Sequence, residues 1–91
     1  MRIEFDRAKN ETNQAKHGIS LQAATGFVWH TALERVDDRF DYGEVRFVAI
    51  GLIGAQLHVM IFTEVSDDEV IRIISLRPAE KHERRFYHGE V

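Results

Sequence analysis

The sequence predicts an α+β domain, an antiparallel sheet with helices packed on it, in the order β-α-α-β-β-β-β-α. Three observations predict it. Two capped segments with apolar residues at helical spacing occupy the first third of the chain. From Ala32 onward the apolar period changes to two, with short turns rich in glycine and acid between the runs. A basic segment that follows Pro78 then returns to helical spacing. Segregation of helices from consecutive strands is the α+β pattern. At 91 residues the chain is expected to be one domain, 1–91, with one core.

The elements are justified in order. Ile3 to Phe5 reads as a short edge strand. Asp6 can accept from the free amides of a helix's first turn, so it caps a helix from Arg7 to His17. The buried stripe of that helix, Ala8, Thr12 and Ala15, is thin. Gly18 reads as the left-handed residue that ends it. Ser20 caps a second helix, expected from Leu21 to about Trp29, although Gly26 inside it costs roughly 1 kcal/mol relative to alanine. Strands follow at Ala32–Val36, Val45–Ile53, Gln56–Val65 and Val70–Arg77, separated by the acidic segment Asp37 to Gly43, a tight turn at Gly54, and the acidic turn Ser66, Asp67, Asp68 and Glu69. The short turns predict an antiparallel meander. Pro78 suits a helix's first turn, and residues 79–88 are expected to be helical.

Composition removes several classes of function. With 44% hydrophobic and 30% charged residues, the chain is not disordered. It has no cysteine, which excludes disulfides, thiolate metal sites and a cysteine nucleophile, and fits a reducing cytoplasm. Residues Met1 to Asp6 are charged and lack an apolar run, so no signal peptide is expected. The longest apolar stretch, Phe47 to Ile53, is far short of the roughly 20 residues that span a membrane. Net charge is −3, but it is unevenly placed. Residues 31–70 carry three basic against nine acidic side chains, while residues 1–30 and 71–91 carry four against three and five against three. If the two ends meet in space, one face attracts phosphate. The alternative is that both are solvated faces.

Three constellations are candidates for chemistry. Lys16-His17-Gly18 ends the first helix, where a cation is favoured by the helix dipole. In a functional reading His17 transfers protons near neutral pH and Lys16 contacts phosphate. In the run from Arg72 to Arg77, an arginine within an apolar strand needs an anion or solvent. One reading is a salt bridge with Glu44 or Glu64, the other a guanidinium fork aimed at phosphate. Regular alternation puts Arg72 and Arg77 on opposite faces, so a shared site requires either a bulge or an Arg77 that acts from beyond the sheet edge. In the third, Lys81, Arg84, Arg85 and His88 offer a basic helical surface, with Glu80 and Glu83 available for ordinary helical pairing. Tyr87 is placed either to stack or to act as an acid, or else to pack on the core. The five histidines lack paired-ligand spacing, so no metal is expected, although Asp37-Asp38 is a weak lure for one.

Taken in order, these residues resemble the BrnT family. Phe5-Asp6, Lys9-Asn10, Asn13 and Lys16-His17-Gly18-Ile19-Ser20 resemble the family's opening, a W-D-E-x-K-N-like segment leading to N-x-x-K-H-G. Gly43-Glu44, Arg46 and Gly51 resemble its middle. Arg72-Ile73-Ile74-Ser75-Leu76-Arg77, then Ala79, Glu83-Arg84 and Tyr87, resemble its R-I-I-S-A-R ending. Arg7, Gln22-Ala23 and Leu76 depart from the pattern, in places that touch capping and packing.

The resemblance implies a fold similar to RelE-type toxins and a metal-independent, cofactor-free ribonuclease that arrests translation. It implies a cytoplasmic location and an antitoxin of the BrnA kind with a ribbon-helix-helix domain, which alone touches operator DNA when the complex represses its own operon. In-line attack of an RNA 2′-hydroxyl on its own phosphodiester needs positioning, proton transfer and positive charge. The expected assignments are Arg72 and Arg77 for phosphate and transition-state charge, His17 for proton transfer, and Lys16, Arg84 and Tyr87 for RNA contacts. The rival readings are a non-enzymatic binding module and a structural subunit that pairs through a sheet edge.

Overall fold

The computed structural model describes residues 1–65 and 69–90. The expected turn residues Ser66, Asp67 and Asp68 lie outside the described residues. The elements are β1 (Arg2–Glu4), α1 (Arg7–His17), a 3-10 helix (Leu21–Gly26), β2 (Leu33–Asp37), β3 (Arg46–Ile53), β4 (Gln56–Val65), β5 (Val70–Pro78) and α2 (Lys81–Glu90). They build the expected α+β arrangement around one five-stranded sheet of order β1-β5-β4-β3-β2. Strands β2 to β5 form an antiparallel meander. Strand β1 pairs in parallel with β5, which makes the sheet mixed. No helix among the described residues is long and apolar enough to cross a membrane.

The caps act as the sequence predicts. The Asp6 carboxylate accepts from the Lys9 amide at 3.0 Å, and Gly18 closes α1 at φ 71° while donating to the Gln14 carbonyl. The second helix is shorter and tighter than expected. It is a 3-10 turn that stops at Gly26, after which Phe27 bridges to Ile53 and Val28 donates to the Leu52 carbonyl. Phe27 therefore enters the core from extended backbone. Its ring lies so close to Gly51 that a Cβ there would stand 2.5 Å from Phe27 Cζ. The last helix starts later than expected because Pro78 still belongs to β5 and the Ala79 amide donates to the Leu57 carbonyl. Glu83 then takes the Glu80 amide at 2.7 Å and opens α2.

One sheet face is sealed. Leu21, Ala24 and Phe27 cover Ala49, Met60, Phe62, Ile71, Ile73 and Leu76. Trp29 and Phe62 extend this layer edge to face, with centroids 5.3 Å apart. The other face carries Val48, Leu57, Val59, Ala79 and Tyr87, and α2 covers only part of it.

The free edge of β5 beyond β1 is closed by a side chain. Asn13 of α1 accepts from the Leu76 amide at 3.1 Å and donates to the Leu76 carbonyl at 2.8 Å, as a neighbouring strand would. The same amide nitrogen reaches the Ile19 carbonyl. Asn10 accepts from the Leu21 amide and the Ser20 hydroxyl. Asn13 thus fixes α1 against the sheet, and Asn10 fixes it against the start of the 3-10 helix.

Candidate active site

A cleft of about 530 Å³ lies between α1 and the open half of the second sheet face. Its floor is Val59 and Ile61 of β4 with Ile74, Ser75 and Arg77 of β5. Lys9, Thr12, Asn13, Lys16 and His17 of α1 form one wall, and Arg39, from the β2–β3 loop, closes the other side. Four cationic side chains and a histidine thus line it, and among the described residues no carboxylate does.

The strand geometry behind this arrangement depends on one irregularity. Pairing runs Met60 to Leu76 and Ile61 to Ser75, then jumps from Phe62 to Ile73, so Ile74 has no partner. The bulge reverses the alternation, leaving Ile71, Ile73 and Leu76 on the sealed face and Arg72, Ser75 and Arg77 on the other. Arg72 and Arg77 therefore share a face. They do not share a site. Arg72 lies roughly 15 Å further along the strand at the usual rise. It pairs with Glu4 at 3.0 Å and lines a separate groove with Glu44, Val45 and Thr63. Its acidic partner is thus Glu4 and neither Glu44 nor Glu64.

Arg77 is held from behind. Its two η nitrogens donate to the two carboxylate oxygens of Glu83 at 2.7 and 2.8 Å, and Nη1 also reaches the Pro78 carbonyl. Those hydrogen bonds hold the guanidinium above its ordinary range and the Glu83 carboxyl below its own. Such fork-to-fork pairing fixes the plane of the guanidinium. His17 stands beside Lys16 and within the field of Arg77. Burial first, then those two cations, lowers its pKa from the usual value. Its neutral form therefore dominates at neutral pH and can accept a proton.

The remaining expected residues are elsewhere. Lys16 is exposed on the cleft wall. Arg84 lies on α2 outside the cleft lining and donates to the Ala79 carbonyl at 2.8 Å. Tyr87, expected at the RNA surface, is a core residue. It is 4% exposed and its hydroxyl donates to the Thr31 carbonyl, so it offers no ring face to a base.

Arg39 is the residue that sequence reasoning missed. It sits in the most acidic stretch of the chain, which read as a solvated connection. Yet Asp37 is 3% exposed and accepts from Arg39 Nε at 2.7 Å, Arg39 Nη2 at 2.9 Å and the Tyr42 hydroxyl at 3.1 Å. The hydrogen bonds from Arg39 outweigh burial and hold the Asp37 carboxyl far below the usual range. Asp37 is thus committed to an arginine, and among the described residues no group of three or more His, Asp or Glu side chains is assembled for a metal. The only available signal was the D-x-R spacing at a strand's end.

Comparison with known proteins adds one finding. The family model described as "Ribonuclease toxin, BrnT, of type II toxin-antitoxin system" matches residues 5–83, which include every cleft residue named above. A search among individually curated proteins returns no match.

Proposed function

The chain belongs to the BrnT family of ribonuclease toxins of type II toxin-antitoxin systems, and from that premise we propose that the basic cleft is its active site. The observation that carries this is the convergence of His17, Lys16 and Arg77 from distant parts of the sequence on one cleft lined by cations. As a ribonuclease toxin of a type II system the protein has an antitoxin partner.

The chemistry follows from the charges. The 2′-hydroxyl of a bound nucleotide loses its proton to neutral His17 and attacks the adjacent phosphorus. The bond to the 5′-oxygen breaks, giving a 2′,3′-cyclic phosphate and a 5′-hydroxyl, with the departing oxygen protonated by an acid or by water. Arg77 lies across the non-bridging oxygens, where charge accumulates in the transition state, and Lys16 holds the backbone. Arg72, on the same face but beyond the cleft, contacts a neighbouring phosphate in this reading, not the scissile one. Guanidinium and ammonium groups provide the charge stabilisation that a metal provides elsewhere, so we place the reaction in the metal-independent class. We further propose a cytoplasmic location, an antitoxin of the BrnA kind with a ribbon-helix-helix domain, and repression of the shared operon by the complex.

The test is a DNA oligonucleotide that carries a single ribonucleotide, incubated with the purified chain in excess chelator. Cleavage only 3′ of the ribonucleotide, with a cyclic phosphate end, is expected. Cleavage of the all-DNA strand would sink the mechanism, because DNA lacks the nucleophile. Activity abolished by chelator would contradict metal independence. A chain that binds RNA and leaves it intact would favour the binding-module reading.

A further inference from the structure

Two arginines face this cleft, and each is backed by its own carboxylate. Arg77 is gripped by Glu83 through both η nitrogens, which leaves Nε without a partner among the described residues. Arg39 is gripped by Asp37 through Nε and Nη2, which leaves Nη1 without one. The two come from different elements, Arg77 from the β5 floor and Arg39 from the β2–β3 loop at the side. Their carboxylates do not line the cleft.

The loop is built to hold Arg39. Asp37 stands opposite Arg46 in the β2–β3 register, yet its carboxylate serves Arg39 and Tyr42. Arg46 instead pairs with Glu44 at 3.0 Å and lies 4.1 Å over the Tyr42 ring, which steadies the tyrosine that holds Asp37. The Arg39 side chain remains 57% exposed, so it is fixed at one edge and open to solvent at the other. Two like charges across one cleft repel each other, and Arg39 opposes the charge on Arg77. An anion between them converts that repulsion into attraction on both sides.

We propose that Arg39 and Arg77 form a two-sided clamp on one phosphodiester of single-stranded RNA, with Asp37 as the residue that positions Arg39. The clamp rests on the part of the proposed function that has RNA bound in this cleft. It adds a second phosphate ligand from a segment whose charge points the other way. Planar guanidinium forks from the floor and the side orient the phosphate as well as attract it.

The test uses a short single-stranded RNA with 2′-O-methyl groups, which cannot cleave itself, and measures its binding by fluorescence anisotropy across salt concentrations. Arg39→Ala is expected to weaken binding about tenfold and to lower the salt slope by about one phosphate contact. Arg7→Ala, at an exposed position on α1 outside the cleft, is expected to change neither. Arg39→Lys is expected to recover only part of the loss, because it restores charge without the fork. Asp37→Asn is expected to weaken binding when Arg39 is present and to do nothing further in the Arg39→Ala background. The double variant Asp37→Asn/Arg39→Gln removes both charges at nearly constant shape and separates loss of binding from loss of folding. Binding by Arg39→Ala within twofold of wild type overturns the clamp, and so does full rescue by lysine or an Asp37→Asn effect that persists without Arg39. Wild-type chain that does not bind the oligonucleotide overturns it as well. Unmodified RNA is assayed in parallel. Intact RNA despite tight, Arg39-dependent binding leaves the clamp standing and removes the ribonuclease assignment to this cleft.

Discussion

The two faces of the sheet are made from the same strands and end up with opposite characters. On the sealed face, the 3-10 helix and Trp29 close over Met60, Phe62, Ile73 and Leu76, and three of these four strand residues are fully buried. On the other face, α2 anchors through Tyr87 and leaves the β4–β5 half uncovered, where four cations and His17 gather. The difference teaches how a domain this small divides its work. Apolar burial, which scales with area removed from water, is concentrated on one side. The other side tolerates like charges at close quarters because carboxylates outside the cleft hold two of them in place.

The comparison is broken most severely on the open face. His17→Ala is expected to lower cleavage by about 10²–10⁴-fold, the usual range for a lost general base. Its melting temperature should stay near that of wild type, because the side chain carries none of the sealed core. A pH–rate profile sharpens this. The neutral imidazole is the active form and its pKa lies below the ordinary value. The rate should therefore rise with pH through a midpoint below about 6.5 and level off above it.

At the seam between the faces, Asn13→Ala is expected to cost about 2–4 kcal/mol, since it strips both partners from the buried Leu76 backbone. Urea denaturation would show it, and a loss under 1 kcal/mol would mean that water replaces the amide. On the sealed face, Gly51→Ala should destabilise by about 1–3 kcal/mol by driving a methyl group into the Phe27 ring. Tyr87→Phe, which removes only the hydrogen bond to Thr31, should cost about 1 kcal/mol and leave RNA binding unchanged. Weaker RNA binding by that variant would return Tyr87 to the interface.

A separate effect, seen only in acid, is the response of the Asp37–Arg39 pair. The folded carboxyl titrates well below its unfolded value, so the unfolded chain binds more protons in that window. The contribution is complete above about pH 4, where unfolded aspartate is ionised, and is lost as pH falls toward the folded value. Asp37→Asn should flatten that part of the stability curve.

The sequence was most legible where structure is local. Asp6, Gly18 and the period-two runs act through neighbours within a few residues, and the helix and strands appear where they predict. The parallel pairing of β1 with β5 joins Ile3 to Ile71 and has no local signature. Gly26 marks a weakness in the second helix, but the sequence does not show that Phe27 leaves it to pack over Gly51. In the site, the K-H-G and R-x-x-x-x-R segments were visible as residue types, and alternation alone showed that a common face for the two arginines needs a bulge. The placement of that bulge at Ile74 was not, because it depends on pairing with β4. Arg39 was hidden for a related reason. Its partner Asp37 counts as surface acid in any charge tally until the fold buries it.

The most direct test sets the two arginines of β5 against each other. Both lie on the same strand and face and both pair with a glutamate, but only Arg77 lines the cleft. Steady-state cleavage of a short RNA by Arg77→Ala should fall about 10²–10³-fold, the scale of one lost transition-state contact, and by Arg72→Ala less than about tenfold. Both variants should keep a native circular dichroism spectrum. A larger loss for Arg72→Ala than for Arg77→Ala would contradict the cleft as the active site.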